Sequence, residues 1–312
     1  MHRLLMTLGA TALLAATGCA DDRAGAGSGG EPRVVAAFYP LEFVAGEIAG
    51  DDAQVTNLSP PGVEPHDLEL APGQVRAMGQ AELVVYVGEG FQPAVEDVVG
   101  ELADTQVLDA LESQDALLEE DHSNEEEHAE DEDHDDGPGE ETGDPHVWLD
   151  PTRLAAIGDS VAAEMAEIDP DHAASYRDHA ETLTARLHEL DREYRSVLEN
   201  CERDELVVSH EAFGYLTDRY GLEQIGVSAL DPEAEPSPGR LAEVAAYAEE
   251  HGVTTIFFEE QVSPDIARVI ADEVGAVTEV LDPLEFPPDD GSDYFDVMRT
   301  NLGAISAALD CG

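Results

Sequence analysis

Short apolar runs rich in β-branched residues recur along this chain with helix-length stretches between them, and that alternation limits its fold more than any other feature. The runs occupy residues 33–38, 54–58, 82–87, 205–209, 253–258 and 277–281. Strands separated by helices are joined by crossovers, so they pair in parallel and helices cover both faces of the sheet. Between the last two runs the helix punctuation is complete. Ser263 offers a hydroxyl cap, Pro264 stands in the first turn and Gly275 follows the end.

Two segments break the alternation and divide the chain. Residues 119–142 are almost purely acidic, with three histidines and two glycines. Without a hydrophobic period they cannot bury a core, which predicts a mobile loop. Residues 151–200 are helix-favouring, and Leu183, Leu187, Leu190, Tyr194 and Val197 recur at spacings of three and four as one apolar stripe. The organisation expected is an N-terminal α/β lobe over 33–150, a helical connector over 151–200 and a C-terminal α/β lobe over 201–312.

The first 19 residues stand outside that fold. His2 and Arg3 give a basic start, and residues 4–16 form an apolar run of signal-peptide length, too short for a comfortable membrane span. The run ends in Ala16-Thr17-Gly18-Cys19, which resembles the bacterial lipobox, with alanine where leucine is commonest. Cys19 is thus the expected lipidation site, and an ordinary cleaved signal is the alternative. Residues 20–32, rich in Gly, Ala and Asp, suit a flexible tether. The expected location is extracytoplasmic, periplasmic or at the cell surface, anchored to the membrane through one lipidated terminus. In that oxidising space the remaining pair, Cys201 and Cys311, is expected to form a disulfide between the start of the C-terminal lobe and the chain's end, with two free buried thiols as the alternative.

Charge excludes one class of partner. The formal net charge is −57, and all 14 basic residues are arginine. Nucleic acid is a poor partner for such a chain, because phosphate neutralisation needs basic patches. Adaptation to high salt accounts for the acidity, and attraction of metal cations is a secondary benefit.

The histidines are informative by position. His66 follows a strand through the turn-forming string Ser59-Pro60-Pro61-Gly62, and His146 comes just after the acidic segment. His210 stands at the C-terminal end of the run 205–209, and Asp282 follows the run 277–281 in the same way. Ligand crevices of open parallel sheets lie beyond the carboxyl ends of the strands, so two residues from each half could converge between the lobes. Three imidazoles and a carboxylate make a four-coordinate set suited to Zn²⁺. His172, His179 and His188 fall on the connector's helical pattern, and His251 precedes Gly252 at a helix end; none is expected to bind metal.

Several longer strings sharpen this reading. Pro60-Pro61-Gly62-Val63-Glu64-Pro65-His66-Asp67-Leu68-Glu69, Asp144-Pro145-His146-Val147-Trp148-Leu149-Asp150-Pro151 and Ser209-His210-Glu211-Ala212-Phe213-Gly214-Tyr215 resemble successive motifs of the zinc-type solute-binding proteins of ABC importers, the ZnuA- and TroA-like metal-binding family. Leu281-Asp282-Pro283-Leu284 and the string from Tyr294 to Leu302 resemble that family's closing motifs. The resemblance runs from about residue 34 to the C-terminus. It implies two lobes, each a mostly parallel sheet flanked by helices, joined by one long connecting helix with the metal in the cleft between them. It also implies His66, His146 and His210 as ligands. The motif match puts Asp282 fourth, with water, Glu64 or Glu211 as alternatives.

In the manganese-type relatives a glutamate stands where His210 does, so the third imidazole favours Zn²⁺ over Mn²⁺ or Fe²⁺. The acidic segment matches a His-rich insertion of the zinc type, and its His122, His128 and His134 are expected to make accessory metal contacts. The function expected is capture of Zn²⁺ and delivery to an ABC permease and its ATPase by a monomer that performs no chemistry. A manganese- or iron-type binder, a zinc-stapled surface adhesin and a zinc hydrolase compete with it, although no HExxH-type motif is present.

Overall fold

Each half of the chain builds one four-stranded parallel sheet, and the two sheets share one strand order. The computed structural model describes residues 31–114, 117–118, 143–230, 232, 236–259 and 264–312. In the first sheet β1 (Arg33–Ala36), β2 (Gln54–Asn57), β3 (Leu83–Tyr86) and β4 (Gln106–Asp109) lie in the order β2-β1-β3-β4. In the second β5 (Glu205–His210), β6 (Glu223–Ser228), β7 (Thr255–Phe258) and β8 (Val277–Val280) lie in the order β6-β5-β7-β8. Every pairing is parallel. The fold is thus two parallel α/β layers flanked by helices. The core is densest along the central strands: Val34, Ala36, Leu83, Val84, Leu206 and Ile256 have no exposed surface.

Sequence periodicity found the central strands and the outer strands β2 and β8, and missed β4 and β6, the other outer strand of each sheet. In β4 only Val107 and Leu108 are apolar, and in β6 Gly226 separates Ile225 from Val227.

The stretch 151–200 comprises two helices. α1 (Tyr39–Ala49), α2 (Pro72–Met78) and α3 (Pro93–Val99) follow the first three strands in turn, and α4 (Pro151–Ile168) lies against α1, β3 and β4, so it covers the first sheet. α5 (Ala173–Leu198), about 39 Å long at 1.5 Å per residue, runs from α1 and α4 to α6 (Gly214–Tyr220) and α9 (Tyr294–Leu309) of the second half. Its stripe buries Leu183, Leu187, Leu190 and Tyr194, but Val197 is exposed and Leu198 takes the inward position. α7 (Pro238–His251) and α8 (Asp265–Val274) complete the second half, ending at Gly252 and Gly275 with φ of 65° and 77°, values that favour glycine. Among the described residues no helix is long and apolar enough to cross a membrane. The leader with Cys19, the tether as far as residue 30, the acidic segment 119–142 and Ser263 lie outside the described residues.

Cys201 and Cys311 form a disulfide that closes a separation of 110 residues. Backbone hydrogen bonds from Glu202 and Arg203 to the Leu309 carbonyl lace the same ends together. Replacing both cysteines by serine is expected to lower stability by about 2–4 kcal/mol, read as a shift in the urea midpoint. Zinc affinity should move by less than about threefold, because the bridge sits before β5 and His210 closes the far end of that strand.

Candidate metal centre

Four side chains from four separate segments meet at the carboxyl ends of the strands. His210 is the last residue of β5, and His66 lies in the loop after β2. His146 leads into a 3-10 turn, Val147–Leu149, and Glu285 lies in the loop after β8. One ligand atom from each falls within 4.8 Å of all the others. Glu285 Oε1 is 3.7 Å from His66 Nε2, 3.4 Å from His146 Nε2 and 3.6 Å from His210 Nε2. Tetrahedral zinc with bonds of about 2.0–2.1 Å holds its ligand atoms roughly 3.3–3.4 Å apart, so the set is close to the required size.

Burial makes the arrangement costly without an ion. The side chains of His146, His210 and Glu285 have no exposed surface, and that of His66 is 14 % exposed. The three Nε2 atoms and both oxygens of Glu285 are buried with no hydrogen-bond partner. Buried polar atoms are nearly always paired, so four such groups aimed at one point mark a place for a cation.

The Nδ1 side of two rings fixes the tautomer. His146 Nδ1 lies 2.8 Å from Asp144 Oδ1, and His210 Nδ1 lies 2.6 Å from Glu259 Oε1. An ionised carboxylate can only accept, so Nδ1 carries the hydrogen and the Nε2 lone pair faces the cleft. The segment behind His146 is fastened to the second half. Tyr215 donates to the Asp144 carbonyl, the Trp148 indole donates to the Pro283 carbonyl at 2.7 Å, and Tyr294 donates to the Trp148 carbonyl. The turn that carries Glu285 is therefore tied directly to the segment that carries His146.

Asp282, the fourth ligand expected from sequence, is not in this group; Glu285 is. Asp282 Oδ1 accepts from the Leu284 N–H at 2.7 Å, and its backbone N–H and C=O pair with the Asn301 side chain. Leu284 then takes a φ of 60°, uncommon for leucine, and its side chain is fully buried. That bend carries the chain on so that the next residue, Glu285, enters the cleft. Asp282 builds the turn, and the longer carboxylate three residues on reaches the imidazoles.

Residues 34–308 match the family described as the zinc-uptake complex component A, periplasmic. The chain belongs to that family. It is 36 % identical, over 95 % of its own length and 94 % of the relative's, to the high-affinity zinc uptake system protein ZnuA of Bacillus subtilis. It is 34 % identical to the zinc-binding protein AdcA of Streptococcus pyogenes, over 90 % of this chain but only 56 % of that longer protein. Among solved structures, the laminin-binding protein Lmb of Streptococcus agalactiae, titled a bifunctional protein with adhesin and metal-transporting activity, superposes with a TM-score of 0.78 at 29 % identity, covering 89 % of this chain and 99 % of that one.

Glu64, two residues before His66, stands outside the four-residue group. Burial, followed by the charge of Glu285, pushes its carboxyl up to about 9. Glu211 turns toward the sheet, accepting from the Gly226 N–H and pairing with Arg240 at 3.2 Å. His122, His128 and His134 lie outside the described residues. His172 and His251 pair with Asp169 and Glu205, and His179 bonds the Ile48 carbonyl.

Electrostatics divide the site into proton holders and one anion. Burial pulls the His146 imidazole down, but Asp144 and Glu285 outweigh it and leave it above the ordinary histidine value. Burial also pulls His210 down, but Glu259 and Glu285 together overcome it and leave it well above that value. Glu285 is held well below the carboxylate range by the three imidazoles, against the pull of its own burial.

Proposed function

We propose that this chain is the extracytoplasmic Zn²⁺-binding component of an ABC importer, taking the ion between His66, His146, His210 and Glu285 and delivering it to a membrane permease and its ATPase. The observation that carries the reading is the convergence of four buried ligand groups whose cleft-facing atoms have no hydrogen-bond partner. Three imidazole nitrogens and one carboxylate favour Zn²⁺ over Mn²⁺ or Fe²⁺, which prefer more oxygen. With four protein ligands the ion is closed off, as in sites that hold metal, whereas catalytic zinc keeps a position for substrate water. Catalysis is therefore not part of the proposal.

Delivery needs the ligand set to loosen. His66 is the partly exposed ligand, and Gln92 Nε2 holds its loop through the Pro65 carbonyl at 3.2 Å. Relative movement of the two halves, with His66 in the first and His210 and Glu285 in the second, would open the ligand set. The chain acts as a monomer held to the membrane by a lipid on Cys19, a role that the lipobox-like string supports.

The test is a competition titration of purified protein with Zn²⁺ and Mn²⁺ against a chelator. The unaltered chain should prefer Zn²⁺ by orders of magnitude. A His210→Glu variant should lose zinc affinity by about 100-fold or more and narrow the preference, since it trades a nitrogen for oxygen. Unchanged selectivity in that variant would remove the metal argument.

A further inference from the structure

The three imidazoles of the cleft are not held alike. Asp144 and Glu259 grip His146 and His210 through Nδ1, but the His66 ring makes no hydrogen bond among the described residues. A ligand ring without a partner on its outer nitrogen is free to turn unless packing prevents it. Here packing does. The Phe91 ring meets that of His66 edge-on, with centroids 4.4 Å apart and planes at 69°. Phe91 is itself buried, wedged against Phe38 and Trp148 at centroid distances of 4.8 and 5.3 Å. Its neighbour Gln92, also buried, donates from Nε2 to the carbonyl of Pro65, the residue before His66. One side chain thus restrains the ring and the next restrains its backbone.

The loop that presents this pair, between β3 and α3, is strained and tied down. Glu89 and Gly90 take φ of 57° and 80°, the first uncommon for a residue with a Cβ. The Gly88 N–H donates to Asp109 and the Gly90 N–H to Glu96. A Cβ at Gly88 would fall 2.4 Å from Asp109 Oδ2, so the backbone comes as close as glycine allows. Such strain persists where the position of the following residues matters. Those residues are Phe91 and Gln92, and neither is a ligand.

We propose that Phe91 and Gln92 are positioning residues for His66, doing by packing what Asp144 and Glu259 do by hydrogen bonds, and that they set how long zinc stays bound. The inference rests on zinc being held by His66, His146, His210 and Glu285. Solvent touches the His66 side chain alone of the four, so exchange begins when this ring turns away. Loosening either positioning residue shortens the bound lifetime. The approach of zinc, which charge steers, is unchanged.

The experiment is stopped-flow transfer of zinc from the loaded full chain to excess chelator, paired with competition titrations at equilibrium. Phe91→Leu and Gln92→Leu keep most of the buried volume. Each should raise the dissociation rate about tenfold or more and leave the association rate within about threefold. Double-mutant cycles then separate positioning from general loosening. In a His66→Ala chain neither substitution should lower zinc affinity further by more than about twofold. In a His146→Ala chain each should keep its full effect. Unchanged dissociation rates, or losses that persist without His66, would overturn the proposal. Zinc binding that survives both histidine substitutions intact would instead overturn the four-ligand site on which it rests.

Discussion

Zinc should bind a Glu285→Ala variant at least about 10³-fold more weakly than the unaltered chain, while an Asp282→Asn variant should stay within about tenfold. The two expectations separate a ligand from the residue that positions it. Removing Glu285 takes the sole anion from a centre whose other three ligands are neutral imidazoles, and leaves a dication buried without charge compensation. Asp282→Asn keeps an oxygen that can accept from the Leu284 N–H, so the turn that delivers Glu285 survives in weakened form. A chelator competition assay on the two variants reads the difference. Equal losses would return the fourth ligand to Asp282.

Zinc affinity should fall by about 100-fold or more between pH 7.5 and pH 5.5, with the decline beginning above the ordinary histidine value of about 6.5. Without the ion, His146 and His210 hold protons to higher pH than free histidine does, and zinc must displace both. The stability of the metal-free chain has the opposite slope. His146, His210 and Glu64 all bind protons more tightly in the folded state, so the stability they supply is present below their unfolded values and is lost as pH rises through the folded ones. The gap in melting temperature between zinc-loaded and metal-free protein should therefore widen from pH 5.5 to pH 8. A gap that narrows over that range would contradict the assignment of these groups as proton holders.

Much of this centre could be read before the fold was seen, because its parts are local. His210 ends an apolar strand, His66 follows a proline-rich string that forces the chain out of regular structure, and His146 directly follows Pro145. Strand ends in parallel sheets face the ligand crevice, so position and family motif together carried the three imidazoles. The carboxylate was not legible in the same way. It depends on the left-handed bend at Leu284, which no propensity for leucine predicts, and on an Asp282 side chain that is spent on the backbone. One signal was present: Glu285 stands between Leu284 and Phe286 in a proline-bounded loop, an odd place for a charge that meets only solvent. The outer strands β4 and β6 were hidden for a related reason. Their place is set by the neighbouring strand, whose register they follow, more than by their own apolar content.

The supporting shell was also beyond sequence reasoning. Glu259 follows β7 and sits 49 positions from the His210 it orients, and Trp148 reaches Pro283 across a separation of 135. Such pairs are created by topology, when parallel strands bring their ends to one rim.

The central claim is that one ion closes the cleft on three imidazoles and Glu285. Anomalous diffraction at the zinc edge from zinc-loaded crystals tests it most directly. It should give one strong cleft peak at about 2.0–2.2 Å from the Nε2 atoms of His66, His146 and His210 and from a Glu285 oxygen. A peak whose fourth partner is Asp282 or a water, or one that lies away from the three imidazoles, would contradict it.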